Sequence, residues 1–214
     1  EESNCCCRYC LHQNREAQLG YFLPEQLDVV AADYVESGPG GLGWPQGRTP
    51  EVKFERPFRC TLCCCCCILN PQEMVTVQGE TPLGRSVLAC EPFPQCCCHC
   101  NPLFYEVRDA QESLVYHVKL PLACDDGCRN CCAPGCCNPT FVAPVKNAKT
   151  GEWLGSVENH WPGCNCRGVC FAGAGNNNYV IKFPQGATVQ EKLLLLSTLH
   201  LLDFNLFERR ANQN

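Results

Sequence analysis

Apolar and polar positions alternate with a period of two in short runs along most of the chain. One run is Phe104-Tyr105-Glu106-Val107-Arg108-Asp109, and Leu114-Val115-Tyr116-His117-Val118 follows it after a turn. The same arrangement returns 37 residues later. There Phe141-Val142-Ala143-Pro144-Val145-Lys146-Asn147 leads through Thr150-Gly151 into Trp153-Leu154-Gly155-Ser156-Val157. Strict alternation marks a half-buried strand, and two such runs around a turn predict a β-hairpin. A looser copy spans Met74 to Leu88. Hairpins repeated at this spacing predict a meandering antiparallel sheet, most easily closed into a barrel.

The C-terminus breaks the period. Thr188-Val189-Gln190-Glu191 is a capping box, with Thr188 at the N-cap and Glu191 reaching back from the third helical position. It opens a helix predicted over 188–208 whose centre is a run of leucines. A membrane span needs about 20 apolar residues. The run from Leu193 to Phe207 has 15, five of them Ser197, Thr198, His200, Asp203 and Asn205. A helix apolar nearly all round but too short to span is a core helix. The expected fold is therefore mainly β, a closed antiparallel β-barrel around a central hydrophobic C-terminal α-helix. It forms one domain over 1–214, and the Gly/Pro-rich stretch 38–47 reads as a surface loop.

Composition changes this picture at one point. Of the 214 residues 24 are cysteine, a level that in a short chain signals a disulfide scaffold. A chain this long buries a core without such staples. The thiols also fall in clusters, at Cys5–Cys10, Cys60–Cys67, Cys90–Cys100, Cys124–Cys137 and Cys164–Cys170. Chemistry other than fold stabilisation is expected of them. A net charge of −5 without a basic run excludes a nucleic-acid footprint, and 45% hydrophobic residues exclude disorder. With Glu1 first and Met74 the only methionine, the chain reads as a processed or truncated product with its start region out of view.

Three segments then carry a resemblance. Glu55-Arg56-Pro57-Phe58-Arg59-Cys60 precedes the run Cys63-Cys64-Cys65-Cys66-Cys67. Leu154-Gly155-Ser156-Val157-Glu158-Asn159-His160-Trp161-Pro162-Gly163 is similar to a strand motif "I-G-x-I-x-K-x-W-x-G". Ile181-Lys182-Phe183-Pro184 with Leu202-Asp203-Phe204-Asn205-Leu206-Phe207-Glu208 closes the set. In this order they resemble the phospholipid scramblases, over nearly the whole chain. The resemblance implies a tubby-like barrel, membrane phospholipid as partner, and calcium-triggered bidirectional lipid movement between leaflets. It implies S-acylation (palmitoylation) of Cys63, Cys64, Cys65, Cys66 and Cys67, and a place at the cytoplasmic face of a membrane. The family also carries barrel residues before the first cysteines, so the first strands are missing here or the barrel is built differently.

The family's calcium loop is acidic, but its leading positions fall at Gly175 and Asn177 and its later one at Gly186. No carboxylate occurs between Glu158 and Glu191. Calcium takes six to eight oxygens with carboxylates among them, so tight binding is not expected. For the cysteines beyond acylation, zinc is an alternative, since Cys60-x2-Cys63, Cys128-x2-Cys131 and Cys96-x3-Cys100 have ligand spacing and His99 adds a nitrogen. Disulfides in an exported protein are another, and free half-buried thiols a fourth. His200 and Asp203 sit at i and i+3 on one helix face, read either as a polar pair in a lipid path or as a contact between helix and wall. Trp153 and Trp161 flank one strand, as core or as membrane-interface aromatics. No nucleophile motif or phosphate loop occurs, so no enzyme is expected. The expectation is a lipid-binding or lipid-moving protein; the alternative is a structural homo-oligomer or filament linked through cysteines or metal.

Overall fold

The computed structural model describes residues 17–21, 51–57, 71–89, 104–119, 130, 133–161, 163 and 178–207. Within them the alternating runs form nine strands. These are β1 (Ala17–Tyr21), β2 (Val52–Arg56), β3 (Glu73–Gln78), β4 (Thr81–Ala89), β5 (Phe104–Asp109), β6 (Leu114–Lys119), β7 (Thr140–Asn147), β8 (Trp153–His160) and β9 (Asn178–Lys182). Each pairs antiparallel with its neighbour in sequence, giving one meander from β1 to β9. The three expected hairpins are β3–β4, β5–β6 and β7–β8, and each slips register once, at Thr76/Val77, Val107/Arg108 and Val145/Lys146. A slip adds local twist, and three in succession curl the sheet.

The β6–β7 ladder is short, pairing Tyr116 with Asn147, His117 with Lys146 and Val118 with Val145. Beyond it, the Asn130 side chain does the work of a strand. Its Nδ2 donates to the Val142 carbonyl at 3.0 Å, and its Oδ1 accepts from the Val142 N–H at 2.9 Å.

Strand alternation sends one set of side chains inward. Phe54, Met74, Tyr105, Val107, Val118, Ala143, Val145 and Val157 are buried there against Leu194, Leu195, Leu199, Leu201 and Leu202. Those leucines belong to α1 (Val189–Leu202), which follows all nine strands and passes into a wider π-type turn, Asp203–Phe207. The capping box is formed as expected: the Glu191 N–H donates to Thr188 Oγ1 at 3.2 Å, and the Thr188 N–H donates to Glu191 Oε2 at 2.7 Å. Fully burying one leucine contributes about 1.5–3 kcal/mol, so this helix supplies a large part of the core.

The nine strands form a meander whose two edges are β1 and β9. Among the described residues no hydrogen-bonded pairing joins β9 back to β1. The helix reaches both edges instead, Tyr21 of β1 through His200 and Tyr179 of β9 through Asp203.

Candidate functional site

Polar groups on an otherwise apolar core helix are the residues that need explaining, because burying a polar group is unfavourable unless it is hydrogen-bonded. They divide by face. Ser197 and Thr198 point into the sheet beside Ser86 of β4, and all three are fully buried. Ser86 Oγ lies 3.0 Å from Ser197 Oγ and 2.7 Å from Thr198 Oγ1. The helix hydroxyls also donate to the Leu194 carbonyl, at 2.7 Å from Ser197 and 2.9 Å from Thr198. The helix is thereby fixed in register against the middle of the sheet.

The opposite stripe is only half covered. Val189 and Lys192 are exposed, and Leu193, Leu196, His200 and Asp203 are half-buried. His200 Nε2 lies 2.6 Å from the Tyr21 hydroxyl, and the ring stands 5.6 Å from Phe54. Burial holds the His200 imidazole below the ordinary histidine range, so it is the neutral ring that meets Tyr21. The Tyr179 hydroxyl donates to Asp203 Oδ1. The sequence placed His200 and Asp203 on one face, and the structure gives each a tyrosine from an opposite edge of the sheet. Both residues therefore join the helix to the edges of the sheet.

Where the helix ends, the π-type turn brings a second polar set together. Arg56 at the end of β2 is buried, donates to Gln72 Oε1 at 3.1 Å, and stacks its guanidinium 4.9 Å from the Phe204 ring centre. Asn205 donates to the Tyr105 hydroxyl at 3.3 Å. Burial drives the Tyr105 phenol far above its usual range, against the lowering effects of Asn205 and Arg56. Arg56 and Phe204 come from the first and last of the motif segments, so two of those segments meet in space.

The middle segment forms β8, and its chemistry lies in Glu158. This carboxylate is buried and accepts from Ser156 Oγ at 2.7 Å; His160 Nε2 lies 2.9 Å from it and Lys182 Nζ of β9 2.7 Å. Burial pushes the Glu158 carboxyl up, but the bonds from Lys182, Ser156 and His160 outweigh it and hold the group below the usual carboxylate range. Gly155 in the same segment is required sterically. A Cβ there would stand 2.1 Å from the Lys182 carbonyl oxygen, so only glycine lets β9 leave the sheet along this path.

The sequence-predicted sites fare unequally. Cys60, the run Cys63–Cys67, Cys96, Cys100, Cys128 and Cys131 lie outside the described residues, as do Gly175 and Asn177. Gly186 is described. It has φ of +78°, and the Ala187 N–H bonds the Pro184 carbonyl at 3.1 Å, so it is the third residue of a turn that favours glycine. The carboxylates bracketing this region, Glu158 and Glu191, are both committed to bonds already given. Among the described residues no group of three or more His, Cys, Asp or Glu side chains is placed to hold a metal ion. Among the described cysteines, Cys136 and Cys137 are exposed, with their sulfurs 3.7 Å apart.

Sequence reasoning missed Tyr21, Tyr179 and Ser86, whose roles depend on which strands the helix crosses. Glu158 and Lys182 were legible only as motif positions. Among the described residues no helix is long and apolar enough to cross a membrane.

These arrangements lie in segments that recur in known proteins. A family model described as Scramblase matches residues 51–209, from the residue before β2 to just past the π-type turn. Phospholipid scramblase 1 of Rattus norvegicus is 24% identical over 213 residues, covering 100% of this chain and 50% of the relative. Phospholipid scramblase 1 of Homo sapiens is 25% identical over 203 residues, covering 94% of this chain and 57% of the relative. Phospholipid scramblase 4 of Homo sapiens is 27% identical over 163 residues, covering 76% and 43%. The chain spans about half the length of the curated relatives it matches. No solved structure matches it. The family match covers most of the chain and contains the motif segments that meet at Arg56, Phe204 and Glu158, so the chain belongs to the scramblase family.

Proposed function

We propose that this protein acts on membrane phospholipid, as a lipid-binding or transbilayer lipid-moving module held at the cytoplasmic face of a membrane by S-acylated cysteines. The observation that carries this reading is the family match over residues 51–209. The reading includes no covalent chemistry on the lipid. It also takes the sheet as a barrel closed by the helix, since Tyr21 and Tyr179 at the two edges bond to neighbouring turns of it. Calcium is not part of the reading. No carboxylate stands between Glu158 and Glu191, and both of these are engaged in structural bonds. In liposomes carrying a fluorescent phospholipid, the chain is expected to equilibrate the leaflets to the same extent with and without calcium. Absence of exchange in both conditions removes lipid movement, and strict dependence on calcium removes the calcium-independent form of the proposal.

A further inference from the structure

The half-covered stripe of α1 lies in a trough between the two edges of the sheet. Val189, Lys192, Leu193, Leu196, His200 and, just past the helix end, Asp203 recur at three- and four-residue spacing, so they share one side. β9 runs along that side in the opposite direction to the helix. Its Tyr179 meets Asp203, and Phe183, just beyond its end, lies against Lys192 with Nζ 5.8 Å from the ring centre. Between them Ile181 pairs with the inward-facing Val157 and packs on the core, as Leu193 and Leu196 do. β1 stands on the other side, where Leu19 packs on the core and Tyr21 reaches His200.

The two ends of this trough differ. At one, the bonds of His200 and Asp203 tie the helix to both edges. At the other, Val189 is 72% exposed, Phe183 is 40% exposed, and Lys192 is exposed as well. The floor between them is apolar, and from Lys192 to His200 it measures about 12 Å along the helix axis. Among the described residues Lys192 forms no ion pair. The adjacent carboxylate, Glu191, is turned to the N-cap at Thr188. Exposed apolar side chains gathered along a groove mark a binding surface. A slot tied shut at one end, apolar along its floor and cationic at its mouth, is complementary to a hydrocarbon tail with an anionic head.

We propose that this trough holds one acyl chain of a membrane phospholipid, with the phosphate on Lys192 and the chain laid over Leu193 and Leu196 toward His200. The inference rests on the proposed function and deepens it by naming where the lipid sits. Ammonium and phosphate form a charge-assisted bond, roughly twice as strong as a neutral one, which fixes the head while the apolar floor takes the tail. A second copy of the chain fits less well. A stable protein interface buries more than about 1,000 Å², and this stripe is one helix face wide.

The test mixes the full chain with phosphatidylcholine–phosphatidylserine vesicles in which some phosphatidylcholine carries a diazirine midway along one acyl chain. Photolysis and peptide mapping are expected to place the label within 179–183 and 193–196. Leu196→Trp fills the floor, and Lys192→Glu reverses the charge at the mouth. Each is expected to cut that labelling about tenfold, equivalent to about 1.4 kcal/mol. Lys192 is exposed, so the second variant keeps the test open where the first does not fold. Cosedimentation with the vesicles, measured alongside, separates the trough from lipid binding as such. Label confined to other segments, or trough labelling that both substitutions leave intact, overturns the site while a lipid-binding role stands. Labelling of the trough by a diazirine fatty acid but not by the phospholipid overturns it too. A dimer in sedimentation that Leu196→Trp converts to monomer does the same, because a second copy then covers the stripe. Failure to bind vesicles at all overturns both the site and the proposed function.

Discussion

The two faces of the C-terminal helix are built from similar materials and do different work. Toward the sheet, Leu194, Leu195, Ser197 and Thr198 are sealed, and their hydroxyls close on Ser86 and the Leu194 carbonyl. Toward the sheet edges, Leu193, Leu196, His200 and Asp203 are half-covered and bond to one tyrosine from each side. The sealed face sets where the helix lies. The open face links two strands that no described ladder joins, and it does so through ionisable groups. The same residue type therefore carries a different weight on each side.

Substituting leucines on the two faces breaks the comparison most severely. Leu194→Ala should cost about 2–5 kcal/mol, because a fully buried leucine leaves both lost burial and a cavity. Thermal unfolding of the purified chain would show it as a large fall in Tm. Leu196→Ala, two residues along on the half-covered face, should cost about 1–2 kcal/mol, since water already reaches part of the side chain. Equal losses would mean that the two faces are equally buried in solution.

Ser86→Ala tests the hydroxyl cluster on its own, with an expected cost of about 1 kcal/mol in denaturant titration. The loss stays small because Ser197 and Thr198 keep the Leu194 carbonyl. The smallest effect belongs to the edge contact and depends on pH. Burial lowers the pKa of both His200 and His117, so the folded state favours the neutral rings. Their contribution is fully present above the unfolded value of about 6.5. It is lost as pH falls from there through the lower folded values. His200→Phe should flatten part of the decline in Tm between about pH 7.5 and 5.5, with His117 accounting for the remainder. An unchanged profile would separate His200 from the pH response.

Much of this was legible in the sequence because local rules decided it. Period-two alternation located the three hairpins, and Thr188 with Glu191 marked the helix start as the structure has it. Leucines on every side of a short helix required a sheet to cover them. What stayed hidden depends on non-local geometry. Ser86 is 111 residues from Ser197 and Tyr21 is 179 from His200, and no spacing rule reaches so far. How the sheet edges are covered was hidden for the same reason: alternation predicts a strand but not whether its last neighbour is another strand or a helix.

The position of α1 in the chain also has a consequence for how the molecule is made. Its leucines fill the inner face of the sheet, yet it follows all nine strands, so a ribosome delivers the core last. Until Thr188 and the residues after it emerge, the strands have hairpin contacts but little to close around. The final step of folding is therefore a long-range docking, which is slow because distant parts of the chain must first be brought together. Through most of synthesis this sheet is an unfilled shell with its apolar face exposed, the condition in which nascent chains depend most on chaperones.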